Sequence, residues 1–523
     1  MARLGAPVSR VRRALRERFA RHLALAALAL PAPVIAGDWP DPTSIFEGGE
    51  HVAVTTSSGW APSMRVMRSP DLASWRLTGE VFRQPPRWVL RNLWAPEITR
   101  LSNGRLALFY SALPRRKGSW YCIGVATAAR PEGPWRDRGR PLRCGRDGSI
   151  DAFPMRDEQG RLNLLWKSDG NAFGRPTFIF GQRMAESGMR LVGRPKRLLR
   201  NTTRWEGRVI EAPAVIRRTD GFYMLYSGAL CCTKRCRYAV GAARAPTLLG
   251  RWRKFSGNPI LSSGNGWRCP GHTGLATDAS GAVTALFHAY RSGLGRLAGR
   301  QVLAAPLTFR PDGWPQIGEG RVPPAPAAGA APNEFADDFV GPRLSPEWEW
   351  PLERVPGIRV AGGLELRAPV RLRDGSRAVP RFDNGLLAHR ISGSRYVAGA
   401  VVDRASLAGK EAAGLSAFGL SPFGVGSEAL GVSVQRGAVT VWRRDRERVR
   451  VLARGRTPSS GQVHLRLTAD GNAYRFEISP DGAQWRGVGG RLRGRIEESA
   501  RVALISGGQR AAKVRFVSAR LEE

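Results

Sequence analysis

The chain has 523 residues, more than one hydrophobic core ordinarily serves, so two domains are expected. Its 42% hydrophobic and 8% aromatic content suits globular β-rich domains and excludes a chain dominated by disorder. The net charge of +39 invites a nucleic-acid reading, yet only seven of the 82 basic residues are Lys, and no basic helix or zinc module concentrates the charge. What remains is a general preference for arginine, or attraction to an anionic polymer such as acidic cell-wall polysaccharide.

The chain opens with Arg3, Arg10, Arg12, Arg13, Arg16, Arg18 and Arg21, followed by an apolar run over 23–30 and then Pro31-Ala32-Pro33-Val34-Ile35-Ala36. That order predicts a signal peptide over 1–36, with Val34 and Ala36 at its cleavage site, and a secreted or periplasmic protein. No other segment approaches the roughly 18 apolar residues of a membrane span. All six cysteines lie between 122 and 269, and export would make them disulfides. Cys122 and Cys144 flank one repeat and are the favoured pair, while Cys231, Cys232, Cys236 and Cys269 stay open. The CCxxxC spacing lacks the second pair and His partners of a structural zinc site.

From residue 37 a unit recurs. Gly37-Asp38-Trp39-Pro40-Asp41-Pro42 leads to a turn at Gly48-Gly49 and a return over 51–56. Trp94-Ala95-Pro96-Glu97 runs to Asn103-Gly104 and back over 106–110, and Asp151-Ala152-Phe153-Pro154 runs to Gln159-Gly160 and back over 162–166. Glu211-Ala212-Pro213 runs to Asp220-Gly221 and 222–226, and His272-Thr273-Gly274 runs to Ser280-Gly281 and 283–288. Head to turn glycine is nine or ten residues in the last four, which predicts hairpins of alternating strands with the heads at equivalent places. Trp75, Trp135 and Trp252 mark unit ends and are expected to pack as core. A period near 60 with about four strands per unit predicts five propeller blades over 37–320, whose heads face one axis.

Residues 321–333, RVPPAPAAGAAPN, form a Pro/Ala linker. Over 334–523 short alternating segments at 364–367, 396–402, 414–418, 429–435, 439–443, 463–468, 474–478 and 514–518, split by turns such as Asp470-Gly471 and Asp481-Gly482, predict a β-sandwich. The fold class is therefore all-β, a five-bladed β-propeller followed by a β-sandwich.

Three heads carry carboxylates: Asp41, Asp151 and Glu211. Hydrolysis of a glycosidic bond needs one acid for the leaving oxygen and one carboxylate on the other side of the sugar, and blades meeting on an axis supply both. Asp38, Asp147 and Glu206 compete with them, but Glu206 lacks the repeat position and Asp38 could cap a turn.

The PDPTSI of 40–45, the WAPE of 94–97, the IDAF of 150–153, the EAP before FYMLYSG and the GH of 271–272 together resemble glycoside hydrolase family 43. From FADDF onward the chain resembles the concanavalin-like sandwich appended to that family's xylosidases and arabinofuranosidases. The resemblance implies release of arabinose or xylose from plant cell-wall polysaccharides or oligosaccharides with inversion. It makes Asp41 the general base, Glu211 the general acid, and Asp151 the carboxylate that orients the acid and raises its pKa. Trp94 becomes an apolar wall, and Arg300 reaches substrate hydroxyls. His272 contacts sugar or helps hold a central calcium ion, the one cofactor to be considered, with none required. The acid and base are expected about 6.5–9.5 Å apart. The sandwich is expected to close one side of the pocket, by analogy with related enzymes. The alternatives are an arabinan-cleaving hydrolase, a retaining fructan-hydrolase type of propeller, and a carbohydrate-binding protein without activity. Thr43 and the Cys231-Cys232 pair depart from the family pattern and bear on substrate preference.

Overall fold

The computed structural model describes residues 32–325 and 334–523, apart from 117, 119, 234, 373–376, 378–381, 421–426, 447, 495, 497–498 and 509–510. The described residues form an all-β chain with a few single 3-10 turns.

The first domain consists of five antiparallel sheets whose strands follow chain order from the inside out. Their inner strands are Thr43–Glu47, Val89–Arg100, Ile150–Arg156, Ile210–Arg218 and Trp267–Thr277. Each hairpin closes where the sequence places a turn glycine. Gly48, Gly49, Gly104, Gly160, Gly221 and Gly281 all have positive φ, a conformation open to glycine without steric cost. Each inner strand packs on the next, and the fifth packs on the first, so the propeller is closed.

A ring of hydrogen bonds runs through this closure. One residue near each head has positive φ: Asp41 (55°), Ala95 (46°), Asp151 (55°), Ala212 (52°) and His272 (51°). A register shift accompanies it in blades 2 to 5, so each of those four heads is a β-bulge, and Asp41 holds the equivalent place just before the first strand of blade 1. The N–H of each bulge residue turns out of its own ladder and is caught by the preceding blade. Ala95 donates to Thr56 Oγ1 (2.6 Å), Asp151 to Ser111 Oγ (3.1 Å) and Ala212 to Asp151 Oδ2 (3.0 Å). His272 donates to Ser227 Oγ (2.9 Å), and Asp41 to His288 Nδ1 (3.2 Å), which ties blade 5 to blade 1. Gly271 is required beside the bulge, because a Cβ there would stand 2.2 Å from the Tyr238 ring.

The bulge corrects the expected equivalence of the heads. Asp41, Asp151 and His272 occupy the positive-φ position, whereas Trp94 and Glu211 stand one residue before it, paired with Ser111 and Ser227 across the hairpin. The blade-end tryptophans pack as expected. The indole N–H groups of Trp75, Trp135 and Trp252 donate back to Leu72, Pro131 and Leu248 carbonyls, and all three rings lie against apolar cores.

Residues 1–31 of the expected leader lie outside the described residues. Its end does not. Val34 and Ile35 are buried, and their N–H groups reach the Val302 carbonyl (2.9 and 3.3 Å), so cleavage after Ala36 would remove residues that belong to blade 5. Of the linker, 326–333 lie outside the described residues, and Val322 is buried in the propeller.

The second domain stacks an eight-stranded sheet, centred on Lys513–Glu522, Arg395–Asp403 and Gln462–Asp470, on a six-stranded sheet centred on Ala500–Gly507 and Ala412–Leu420. Their inner faces share one apolar cluster that continues into blades 1 and 2 through residues such as Val52, Phe82 and Val89. Trp350–Pro351 pairs with Trp60–Ala61 as a two-stranded ribbon between the domains.

Candidate active site

The three carboxylates picked from the repeat meet in one pocket of about 490 Å³ at the hub, with Trp94, His272 and Arg300 also in its wall. Every blade contributes to the lining. Asp41 and Asp151 are 6% and 7% exposed, low enough that their charges must be compensated inside the protein.

Asp41 is compensated by Arg300, with two histidines close by. Arg300 Nη1 lies 3.0 Å from its Oδ1, His288 Nδ1 3.1 Å and His272 Nδ1 3.5 Å. Burial alone would raise its pKa, but Arg300, His272 and His288 outweigh it and hold the carboxyl well below the ordinary range. Burial also pushes His288 down to about 4, so at neutral pH Arg300 supplies the fixed positive charge. Arg300 therefore faces Asp41 as well as the pocket. Its backbone is held by Asp38, whose Oδ1 accepts the Arg300 N–H at 3.0 Å. Gly299 permits this approach, since a Cβ there would stand 2.3 Å from Asp38.

Asp151 has no such cation at hydrogen-bond distance among the described residues. Burial raises it, His272 opposes, Glu211 adds to the rise, and the net result is a pKa of about 6. Glu211 instead meets Lys167, whose Nζ is 2.6 Å from its Oε2 and 3.0 Å from Asp169 Oδ1. Burial works against the Lys167 ammonium, but Glu211, Asp169 and Asp151 more than offset it and hold its pKa up. Tyr238 lines the same pocket as Glu211. The raised group is Asp151, pushed up in part by Glu211, while Glu211 carries an ammonium partner the sequence reading did not include.

Lys167 could have been found from the repeat. Thr56, Ser111, Ser227 and His288 hold the bulge N–H groups of the next blade, and blade 3 has Lys167 at the same place, paired with Ile150 as Ser111 is with Trp94. The spacing of 55 to 61 residues between these positions is visible in the sequence. The carboxylates stand at the heads, whereas Lys167 stands on the strand opposite. In blade 3 the missing hydroxyl is replaced by Asp151 itself, which accepts the Ala212 N–H.

The competing carboxylates have structural work. Glu206 is fully buried, caps its own 3-10 turn, and binds Lys254 and the Tyr226 hydroxyl. Asp147 pairs with Arg175. Trp94 stacks on Tyr121 with ring centroids 4.1 Å apart. Trp120 adds a second indole to the pocket wall, tied to Asp169 through its N–H (2.6 Å). Among the described residues, none of the pocket lining comes from the sandwich, so the expected closure of one side by that domain is not found there.

The described residues offer calcium no protein cage, so an ion beside His272 would draw most of its oxygens from water. The ion asks for about six to eight oxygen donors, His272 offers a ring nitrogen already turned to Asp41, and among the described residues no group of three or more His, Cys, Asp or Glu could hold a metal.

Fold and pocket together define a class: a closed five-bladed propeller with three carboxylates at its hub, backed by a β-sandwich. Residues 30–315 match Glycosyl hydrolases family 43, and residues 336–507 match the Beta xylosidase C-terminal Concanavalin A-like domain. The chain belongs to glycosyl hydrolase family 43. It is 29% identical over 245 residues to a "Xylan 1,3-beta-xylosidase" of Vibrio sp, an alignment spanning 44% of this chain and 43% of that protein. It is 27% identical to an "Extracellular exo-alpha-(1->5)-L-arabinofuranosidase" of Cellvibrio japonicus (strain Ueda107), over 57% of this chain and 93% of that one. The solved structure "Bacteroides ovatus Xyloglucan PUL GH43B" superposes on 94% of this chain and 99% of its own, with a TM-score of 0.73 at 20% identity, and so shares the two-domain fold.

Proposed function

We propose that the protein is an exported, inverting glycosidase that releases arabinose or xylose from the side chains or ends of plant cell-wall polysaccharides. The observation that carries this is the convergence of Asp41, Asp151 and Glu211, from three blades, on one pocket with unlike electrostatic surroundings.

Asp41, held ionised by Arg300, takes a proton from a water that attacks the anomeric carbon. Glu211 gives a proton to the glycosidic oxygen as the C–O bond breaks on the opposite face, and the sugar leaves with inverted configuration. Asp151 fixes the blade 4 bulge by accepting the Ala212 N–H, and so places Glu211, the preceding residue. Lys167 holds the other side of the acid. Trp94 and Trp120 offer apolar faces for the sugar ring, and Arg300 and His272 reach its hydroxyls.

Export is supported by the pairing of all six cysteines, as Cys122–Cys144, Cys231–Cys232 and Cys236–Cys269. It is also in keeping with the absence, among the described residues, of any helix long and apolar enough to cross a membrane. The test is turnover of chromogenic arabinofuranosides and xylosides, with proton NMR of the first-formed anomer. Hydrolysis with inversion is expected, and Glu211→Gln is expected to abolish it while sugar binding survives. Net retention would reject the mechanism, and sugar binding by the wild type without cleavage would reject the activity.

A further inference from the structure

The loop over 229–238 joins Gly221–Gly228 to Ala239–Ala245 in blade 4. Its neighbouring Cys231 and Cys232 bond to each other, and both line the hub pocket beside Leu230. The stabilisation a disulfide gives grows with the length of chain it closes, so a bond between adjacent residues contributes least of the three. Cys122–Cys144 and Cys236–Cys269 span separations of 22 and 33. What the adjacent pair supplies is local shape: a small rigid ring with a polarisable sulfur face and no S–H to donate.

The surrounding contacts keep that ring in place. Cys236–Cys269 ties the loop to the inner strand of blade 5, Arg296 Nη1 donates to the Cys232 carbonyl at 3.0 Å, and the Ala229 N–H reaches the Glu206 and Val209 carbonyls (3.0 and 3.1 Å). Cys231 packs against the cluster of Tyr238, Cys269 and Tyr290, and the ring and Tyr238 line the same pocket as Glu211. Leu230 leaves 50% of its surface exposed at the pocket wall, an apolar face open to the pocket.

We propose that Leu230 and the Cys231–Cys232 ring form the platform for the leaving-group sugar. The apolar face of that pentose lies on the ring, and its glycosidic oxygen points to Glu211. A platform fixed before binding costs little ordering entropy, which is what a subsite for a small, polar ring requires. The assignment rests on the glycosidase reading above.

Two variants test it, Cys231→Ser/Cys232→Ser together and, with the disulfide kept, Leu230→Asp. For each, kcat/KM is measured on xylobiose and α-1,5-arabinobiose and on the matching methyl glycosides, which place no sugar on the platform. The disaccharide value is expected to fall about tenfold more than the methyl glycoside value in both variants, the scale of one lost apolar contact. Equal losses on the two substrates overturn the platform. Calorimetric titration of the disaccharides into the Glu211→Gln protein, with and without the platform changes, gives a readout free of turnover. About tenfold weaker binding supports the platform, and unchanged or undetectable binding overturns it. Failure of the wild type to cleave any of these substrates falls on the proposed activity instead.

Discussion

Lys167 decides how the site responds to pH. Burial, with the Glu211 charge adding to it, pushes Asp151 up to about 6, so its proton is lost as pH rises through that value. Activity that needs this proton declines on the alkaline side. The Lys167 ammonium favours the fully ionised pair and pulls that decline to lower pH. Lys167→Met removes the cation, so the alkaline limb of kcat/KM is expected to move up by about one pH unit, while kcat falls about tenfold or more because the acid is no longer held in place. A limb that stays put, or moves down, would show that Lys167 acts only as packing. At this scale the sequence was legible where function and repeat coincide. Asp41, Asp151 and Glu211 stand at heads and could be picked by position. The partner of Glu211 could not be picked from chemistry alone, because a lysine on a strand otherwise reads as a solvated side chain.

The bulge ring explains why hydroxyls recur on the second strands of the blades. Thr56, Ser111 and Ser227 each hold a backbone N–H that the bulge has turned away from its own sheet. Ser227 is 1% exposed, so truncating it leaves the His272 N–H without a partner in a place water reaches poorly. Ser227→Ala is expected to cost about 1–3 kcal/mol in urea unfolding, the penalty of an orphaned buried donor, and to raise KM through the loosened His272. A change below the error of the measurement would mean the bulges are held by packing alone. The bulge itself was not legible, since strand periodicity reports which face a side chain takes and not where φ changes sign. Hence Glu211 and Asp151 looked equivalent although they stand one residue apart in register. The same limit explains the strands that went unread in the second domain. Gly385–Arg390 and Ala500–Gly507 are buried at every position and show no alternation, while Arg448–Gly455 and Arg486–Arg493 are edge strands rich in arginine and glycine.

The two domains behave as one body because polar and apolar contacts both cross between them. Arg501 of the sandwich bonds Glu349 through Nε and reaches Asp38 at 3.5 Å, and Arg390 holds the other Glu349 oxygen at 2.9 Å while its guanidinium lies 3.4 Å from the Trp39 ring. Asp38 in turn holds the backbone of Arg300, the cation on Asp41, so the sandwich stands three hydrogen-bonded steps from the proposed base without entering its pocket. All three ionic side chains of the sandwich network are nearly or fully buried, and removing the negative member leaves two guanidinium groups facing each other out of water. Glu349→Gln is therefore expected to destabilise the protein by about 3–5 kcal/mol, as breaking a buried ion network by one partner does. Because the apolar cluster of the sandwich runs on into blades 1 and 2, that loss should lower the melting of the whole chain as a single transition. Calorimetry of wild type and variant decides it. If the variant shows an early transition for the sandwich followed by an unshifted one for the propeller, the shared core does not couple the domains, and the line from Arg501 to Asp41 carries no stability to the site.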